Sequence, residues 1–197
     1  TVAAFEIDVV EVTMGAFAQC AAAGACTSAH NLAWAHCNAG GTVPLDHPVN
    51  CITWDQARDY CAWRSKRLPS EAEWERAASG SVPTTYPWGD EWPTCAHGNI
   101  GGCAPRTAPV GAYPDGRSPH GVYDMAGNVQ EYISDWYAAD YYTNTPARDP
   151  AGPESGEHRV RRGGSFYDYP RFQRTAFRGG QDPSDEPYDY VGVRCAR

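Results

Sequence analysis

Eight cysteines constrain this chain of 197 residues more than any other feature of its sequence. The number is even, and no two cysteines have the CxxC spacing that is typical of zinc ribbons or thioredoxin-like sites. We therefore expect four structural disulfides in an exported protein, either secreted, on the cell surface or periplasmic, because such bonds persist in oxidising compartments. A reactive or metal-binding cysteine pair is the alternative. Spacing alone leaves the pairing open among Cys20, Cys26, Cys37, Cys51, Cys61, Cys95, Cys103 and Cys195.

The net charge and the hydropathy pattern argue against two classes of protein, those that bind nucleic acid and those that span a membrane. The chain has 24 acidic and 16 basic residues and a net charge of −8, which argues against nucleic acid as a partner. No apolar run approaches the roughly 20 residues of a membrane span. Charged residues are only 20% of the chain, whereas glycine (20) and proline (16) are abundant, which is typical of a loop-rich globule. The length predicts one domain over residues 1–197.

Helical patterns are confined to the first 80 residues. One helix is predicted to begin after Thr13 and to end at Gly24. The sequences TWDQ (53–56) and SEAE (70–73) are capping boxes, which predict helices over roughly 54–65 and from 71 to about 78.

The rest of the chain contains frequent turn signals, among them Gly163-Gly164 and Gly179-Gly180. Short strands are predicted around residues 122–125, 159–162 and 190–195. These patterns indicate an α+β domain with a largely irregular second half.

Four segments, taken in order, resemble the formylglycine-generating enzyme family, also called the sulfatase-modifying factor domain. The resemblance implies a variant of the C-type-lectin-like fold, with little regular secondary structure and with stabilisation by disulfides and calcium. In the founding members it implies a copper-dependent oxidase that converts a cysteine of a sulfatase peptide to formylglycine. The segments are residues 46–50 with Trp54, 66–78, 120–137, and 159–166 with 191–197.

The resemblance also suggests how the cysteines pair. It implies one bridge from the second helix to the C-terminal strand, between Cys61 and Cys195. The remaining six cysteines would then close short loops as Cys20–Cys26, Cys37–Cys51 and Cys95–Cys103.

Calcium ligands are implied in the sequence YDMAGNVQE (123–131). The family's ligands fall on Asp124, Gly127, Val129 and Glu131, and carboxylate and carbonyl oxygens are the donors that calcium takes. Without the resemblance, the two acids would be interpreted as turn caps on a surface loop.

A second calcium site is implied less completely. Asn99 and Ile100 match its first half, but its aspartate-bearing loop is shortened here to residues 101–104. The alternative is that the Cys95–Cys103 disulfide clamps this loop in place of an ion.

The copper ligands of the family are missing. Counted from the Gly163-Gly164-Ser165 turn, the two ligating cysteines fall on Asp168 and Gln173. Soft thiolates select Cu(I), and a carboxylate and an amide do not replace them. We therefore expect no copper and assign no catalytic residue.

The side chains that follow the Gly163-Gly164-Ser165 turn indicate a ligand-binding cleft. Aromatic and arginine side chains give stiff contacts and bidentate hydrogen bonds, which suit a peptide, glycan or protein ligand. The alternative is that these side chains are core residues or pair with local acids. The predicted cleft residues are Ser165, Tyr167, Asp168, Arg171, Gln173 and Arg178.

Two further hypotheses remain open. The first is an oxidoreductase of the same superfamily with a changed site, in which Asp168 beside Arg171 and Tyr169 is an acid–base group. Other branches of the family use iron, some with ligands from an additional domain. The second is that this chain is a binding protein of the kind that diversity-generating retroelements vary. The target proteins of these elements share the fold and vary the segment after the Gly-Gly-Ser turn, and residues 167–169 and 188–190 fit this pattern loosely.

Overall fold

The α-helices lie where the capping signals predict them. In a computed structural model, which describes residues 1–32, 36–40, 43–183 and 186–197, the first helix is capped by the Thr13 side chain. Both capping boxes are formed: the Thr53 and Ser70 hydroxyls accept from Gln56 N and Glu73 N. None of the described helices is both long and apolar enough to cross a membrane. The helices are α1 Met14–Ala22, α2 Trp54–Trp63 and α3 Glu71–Ser79.

A small mixed sheet carries the rest of the framework. Its strand order is β3-β2-β1-β4, with β1 antiparallel to β2 and parallel to β4. The predicted strand at 159–162 is confirmed, and that around 190–195 is confirmed only at residues 191–192. The strands are β1 Gln130–Trp136, β2 Arg159–Arg162, β3 Gly179–Gln181 and β4 Val191–Gly192.

Two strand-level predictions were wrong. Residues 122–125 form no strand, because Asp124 has a φ of 56° that an extended strand does not accommodate. The strand starts after the following turn instead, at Gln130. Gly179 and Gly180 form the edge strand β3 rather than a turn; at Gly180 a Cβ atom would lie 3.1 Å from the Tyr137 ring, so the missing side chain permits close packing.

The central strand β1 connects two buried apolar clusters. Successive side chains of a strand point to opposite faces. Tyr132 packs into a cluster with α1, α2 and Val193, whereas Ile133 packs with Trp74 of α3 and Val160 of β2. The α-helices therefore lie against a sheet whose middle strand belongs to both halves of the core.

All eight cysteines are joined in the four predicted pairs, Cys20–Cys26, Cys37–Cys51, Cys61–Cys195 and Cys95–Cys103. The Cys61–Cys195 bridge joins α2 to the C-terminal segment across 134 positions, and both of its cysteines are fully buried. The bonds indicate that the chain folds in an oxidising environment.

Disulfide loop length predicts a graded loss of stability. In the chain-entropy model, removing Cys61–Cys195 costs about 5 kcal/mol, whereas removing Cys20–Cys26, across 6 positions, costs about 2 kcal/mol. We expect paired Cys→Ala variants to show this order in denaturant unfolding. Equal losses for the two pairs would contradict the loop-length explanation.

Candidate functional site

A fully buried ion pair lies beneath the turn that precedes β1. The Arg194 guanidinium donates to both carboxylate oxygens of Glu131, each over 2.7 Å. The Trp74 indole also donates to Glu131 Oε2 over 2.7 Å. Because these side chains have no exposed surface, the pair fixes α3, β1 and the C-terminal segment against one another.

Glu11 belongs to the same buried cluster, and the sequence analysis missed it. Its carboxylate accepts from Asn128 Nδ2 over 2.6 Å and from Val129 N over 3.1 Å. Burial raises the pKa of Glu11 well above its usual range, and the carboxylates of Asp124 and Glu131 add to that effect. A charged residue within the apolar run VVEV (9–12) was the available signal.

Asp124 lies on this turn as predicted. Its Oδ2 accepts from Gly111 N over 2.6 Å, and burial raises the pKa of the carboxyl group. The turn itself needs glycine at residue 127, where φ is 92° and a Cβ atom would lie 2.5 Å from the carbonyl oxygen of Asn99.

The segment predicted as half of a second calcium site packs directly on this turn. The carbonyl oxygen of Asn99 accepts from Asn128 N over 2.8 Å, and that of Ile100 accepts from Cys103 N over 2.9 Å. Asn99 Oδ1 is buried and accepts no hydrogen bond.

The donors around both predicted sites are carboxylate, amide and carbonyl oxygens, which fit a hard cation. Among the described residues no group of three or more His, Cys, Asp or Glu side chains is arranged to hold a metal. A cation at this place would therefore depend on amide and carbonyl oxygens as well as carboxylates.

The two positions that the resemblance assigns to copper ligands lie in a hydrogen-bond network. We name it the Ser165 network, and it comprises Gln130, Ser165, Asp168 and Gln173. Asp168 Oδ2 accepts from Ser165 Oγ over 2.7 Å and from Gln130 Nε2 over 2.9 Å. Gln173 Nε2 donates to the carbonyl oxygens of Ser165 and Asp168, each over 3.0 Å. Gly164 fits this network because a Cβ atom there would lie 2.5 Å from Gln173 Oε1.

Beside this network lies a shallow open pocket of about 290 Å³, the tyrosine pocket. Tyr167 is 45% exposed and Tyr169 is 69% exposed. Gly101 N donates to the carbonyl oxygen of Asp168 over 3.0 Å, which places the glycine loop against the Ser165 network. The pocket is lined by Gly101, Gly102, Ala104, Pro105, Phe166, Tyr167 and Tyr169.

The phenol of Tyr167 is fixed by two residues from distant parts of the chain. It lies 2.8 Å from His36 Nδ1 and donates to Asp189 Oδ2 over 3.1 Å. Burial and the Asp189 carboxylate raise the pKa of Tyr167 to about 12, so the hydroxyl stays protonated at physiological pH. The pocket wall is therefore ordered by contacts that no local sequence pattern indicated.

The two predicted cleft arginines lie in different surroundings. Arg171 is exposed, and its guanidinium carbon lies 4.5 Å from the centre of the Phe172 ring. Arg178 forms a bidentate pair with Glu71 of α3 over 2.7 and 2.8 Å and donates to the carbonyl oxygen of Ala138. The structure thus brings Ser165, Asp168 and Gln173 together and places Arg178 in a structural ion pair.

Comparison with known proteins decides the family. A family model described as the sulfatase-modifying factor enzyme 1-like domain matches residues 1–197. This chain belongs to that family. The predicted resemblance and fold type are confirmed, whereas the comparisons leave the calcium sites as predictions.

Curated relatives in the family include enzymes. The chain is 39% identical over 174 residues to the formylglycine-generating enzyme of Streptomyces coelicolor, an alignment that covers 77% of this chain and 52% of that protein. It is 40% identical over 164 residues to hercynine oxygenase of Mycolicibacterium thermoresistibile, covering 78% of this chain and 36% of that protein. The chain spans about half the length of the formylglycine-generating enzymes that it matches.

Solved structures share the fold over nearly the whole chain. PvdO from Pseudomonas aeruginosa superposes with a TM-score of 0.81 at 31% identity, covering 98% of this chain and 80% of that one. Treponema denticola variable protein 1 gives the same TM-score at 23% identity, with 100% and 85% coverage. The likeness to the variable protein shows the fold alone.

The buried pair at Glu131 predicts a large effect from a small substitution. Glu131→Gln leaves the buried Arg194 without its bidentate partner and is expected to cost about 3 kcal/mol, as for other broken buried pairs. The control Asp55→Asn removes an exposed helical pair and should cost less than about 1 kcal/mol. Urea unfolding measures both; similar losses would show that Glu131 is not the anchor.

Proposed function

We propose that this chain is an exported, non-catalytic binding module that holds a partner at the tyrosine pocket. Two observations carry the proposal: every cysteine is disulfide-bonded, and the positions that the resemblance assigns to copper hold residues other than cysteine. All eight cysteines are in disulfides, so the oxidised chain has no thiolate for Cu(I). The side chains of Asp168 and Gln173, at the positions that the resemblance assigns to copper, hydrogen-bond within the Ser165 network instead.

The tyrosine pocket supports the binding half of the proposal. Exposed tyrosines offer large amphipathic contacts with few rotatable bonds, so little side-chain entropy is lost on binding. In this pocket the glycine loop is held in place, because Gly101 N donates to the carbonyl oxygen of Asp168, which also accepts from Gln173 Nε2. A rigid site needs less ordering when its partner arrives.

The second candidate is an oxidoreductase with a changed site. The named relatives favour it, since formylglycine-generating enzymes and hercynine oxygenases align over about three quarters of this chain. Asp168 would be its acid–base group, held by Ser165 and Gln130. Turnover lost on Asp168→Ala, together with a stoichiometric redox metal, would establish this candidate.

The binding proposal predicts where ligands map. Peptides selected from a random display library against the folded protein should lose at least about tenfold in affinity on Tyr167→Ala or Tyr169→Ala, because aromatic anchors dominate such interfaces. Leu45→Ala, at a side chain of similar exposure (66%), should leave affinity unchanged. Titration by fluorescence anisotropy measures each affinity.

Two results would contradict the proposal. One is a set of selected ligands that are indifferent to both tyrosine variants. The other is copper-dependent oxygen consumption with a cysteine-containing peptide, measured with the purified protein.

We also propose that calcium stabilises the turn over residues 124–131. The support is chemical: the Asp124 carboxylate and the Gly127 and Val129 carbonyls belong to the turn, Glu131 follows as the second residue of β1, and the unpaired Asn99 Oδ1 lies in the segment packed on the turn. Because both Glu131 oxygens accept from Arg194, the ion would share this carboxylate with the guanidinium. When bound, the ion would join these oxygens and hold the two segments together.

Calcium is therefore expected to raise the melting temperature relative to the same protein in EDTA, whereas magnesium, which resists dehydration, should do so less. Asp124→Asn should shrink this rise because it removes one negative ligand charge, and Asp115→Asn, at an exposed acid, should not. Differential scanning calorimetry gives the readout. A calcium response equal in Asp124→Asn and in the unsubstituted chain would overturn the ligand assignment.

A further inference from the structure

We propose that the partner is an acidic peptide segment of another protein, recognised by three arginines that flank the tyrosine pocket. The inference rests on the proposed function and adds the chemistry of the partner. It predicts an apolar side chain in the pocket with carboxylates on either side.

The three arginines are Arg106, Arg171 and Arg174, named here the arginine cluster. Arg106 follows Pro105 of the pocket wall and is close enough to lower the pKa of Tyr167. Arg171 lies two residues after Tyr169, and Arg174 Nε donates to the carbonyl oxygen of Arg171 over 3.0 Å. All three are exposed.

Some arginines of the described chain form ion pairs, whereas the arginine cluster does not, a property that it shares with other exposed arginines such as Arg64 and Arg117. Arg58, Arg67, Arg178 and Arg197 each form an ion pair with a carboxylate. Within the described part of the chain, no acid lies within 4.0 Å of a guanidinium nitrogen of the arginine cluster. In a protein with a net charge of −8, three exposed positive side chains thus follow pocket residues closely in the chain.

Two acids at the candidate site, Asp168 and Asp189, are held by other groups. Asp168 accepts through Oδ2 from Ser165 and Gln130, and Asp189 accepts from His36 N and from the phenol of Tyr167. Both carboxylates thus already have partners within the protein, and the proposal places a carboxylate of the partner peptide at the arginine cluster.

The chemistry of the pocket favours a peptide over a sugar. Its lining consists of glycine, alanine, proline and aromatic residues, and the Tyr167 hydroxyl already has two partners. A sugar ring needs several polar partners in its site, whereas an apolar side chain needs none. Guanidinium groups then bind flanking carboxylates through paired hydrogen bonds, as in other sites for acidic motifs.

The test uses three fluorescent synthetic peptides of 12 residues with a central leucine, which carry glutamate, glutamine or lysine at the same flanking positions. We expect the glutamate peptide to bind at least about tenfold tighter than the others in 50 mM NaCl, and to weaken in 300 mM NaCl as screening increases. The combined variant Arg106→Gln, Arg171→Gln, Arg174→Gln should abolish this preference. The control Arg58→Gln, Arg64→Gln removes one exposed arginine within α2 and the one at its C-cap, and it should keep the preference.

Each outcome decides the inference. Equal binding of the three peptides, or a preference unchanged in the triple variant, overturns it. A sulfated heparin oligosaccharide that binds through the same arginines, while the glutamate peptide does not, also overturns it in favour of an acidic glycan. If library-selected ligands need Tyr167 but are not acidic, only this inference fails. If no ligand depends on Tyr167 or Tyr169, the proposed function fails with it.

Discussion

The bidentate pair between Arg194 and Glu131 is the interaction on which most of the structure depends. Besides Glu131, Arg194 donates to the carbonyl oxygen of Asp8 over 3.0 Å and to that of Tyr123 over 2.8 Å. Through Trp74 the same carboxylate also holds α3. One guanidinium therefore joins the N-terminal segment, the turn, the central strand and the chain end, which a fold with so little regular structure cannot join by ladder hydrogen bonds alone.

The helices were predictable because their signals are local. Each capping box acts within four residues, so the sequence contains both partners of the Thr53–Gln56 interaction. The strands were less predictable, because the apolar pattern at 122–125 looks extended while Asp124 requires a positive φ. Edge strand β3 was not predicted either, because a Gly-Gly pair is a turn signal in the sequence. Only the structure shows that Gly180 packs closely against Tyr137.

The candidate site shows the same difference between local and long-range sequence signals. Family motifs located Ser165, Asp168 and Gln173 near one another, and the structure joins them by hydrogen bonds. The residues that complete it are remote in sequence: His36 is 131 positions from Tyr167. Nothing in a single chain indicates such a pairing, because it depends on how the disulfide-linked loops fold back.

Around the Gly163-Gly164 turn, the side chains at the two positions that the resemblance assigns to copper ligands hydrogen-bond within the protein. A Cβ atom at Gly164 would lie 2.5 Å from Gln173 Oε1, so a glycine suits the turn beside this amide. The exposed features nearby are the rings of Tyr167 and Tyr169 and the Arg171 side chain. In the proposed binding module, the Ser165 network supports the surface beside it.

The Cys61–Cys195 bridge has a consequence for how the protein withstands proteolysis. It makes most of the chain a covalent ring, and the long irregular stretch between β1 and β2, over 137–158, lies within that ring. A protease that cuts this stretch once opens the ring without releasing either fragment, and the core strands on both sides of the cut stay covalently connected. A nicked molecule can thus keep its sheet and its pocket assembled.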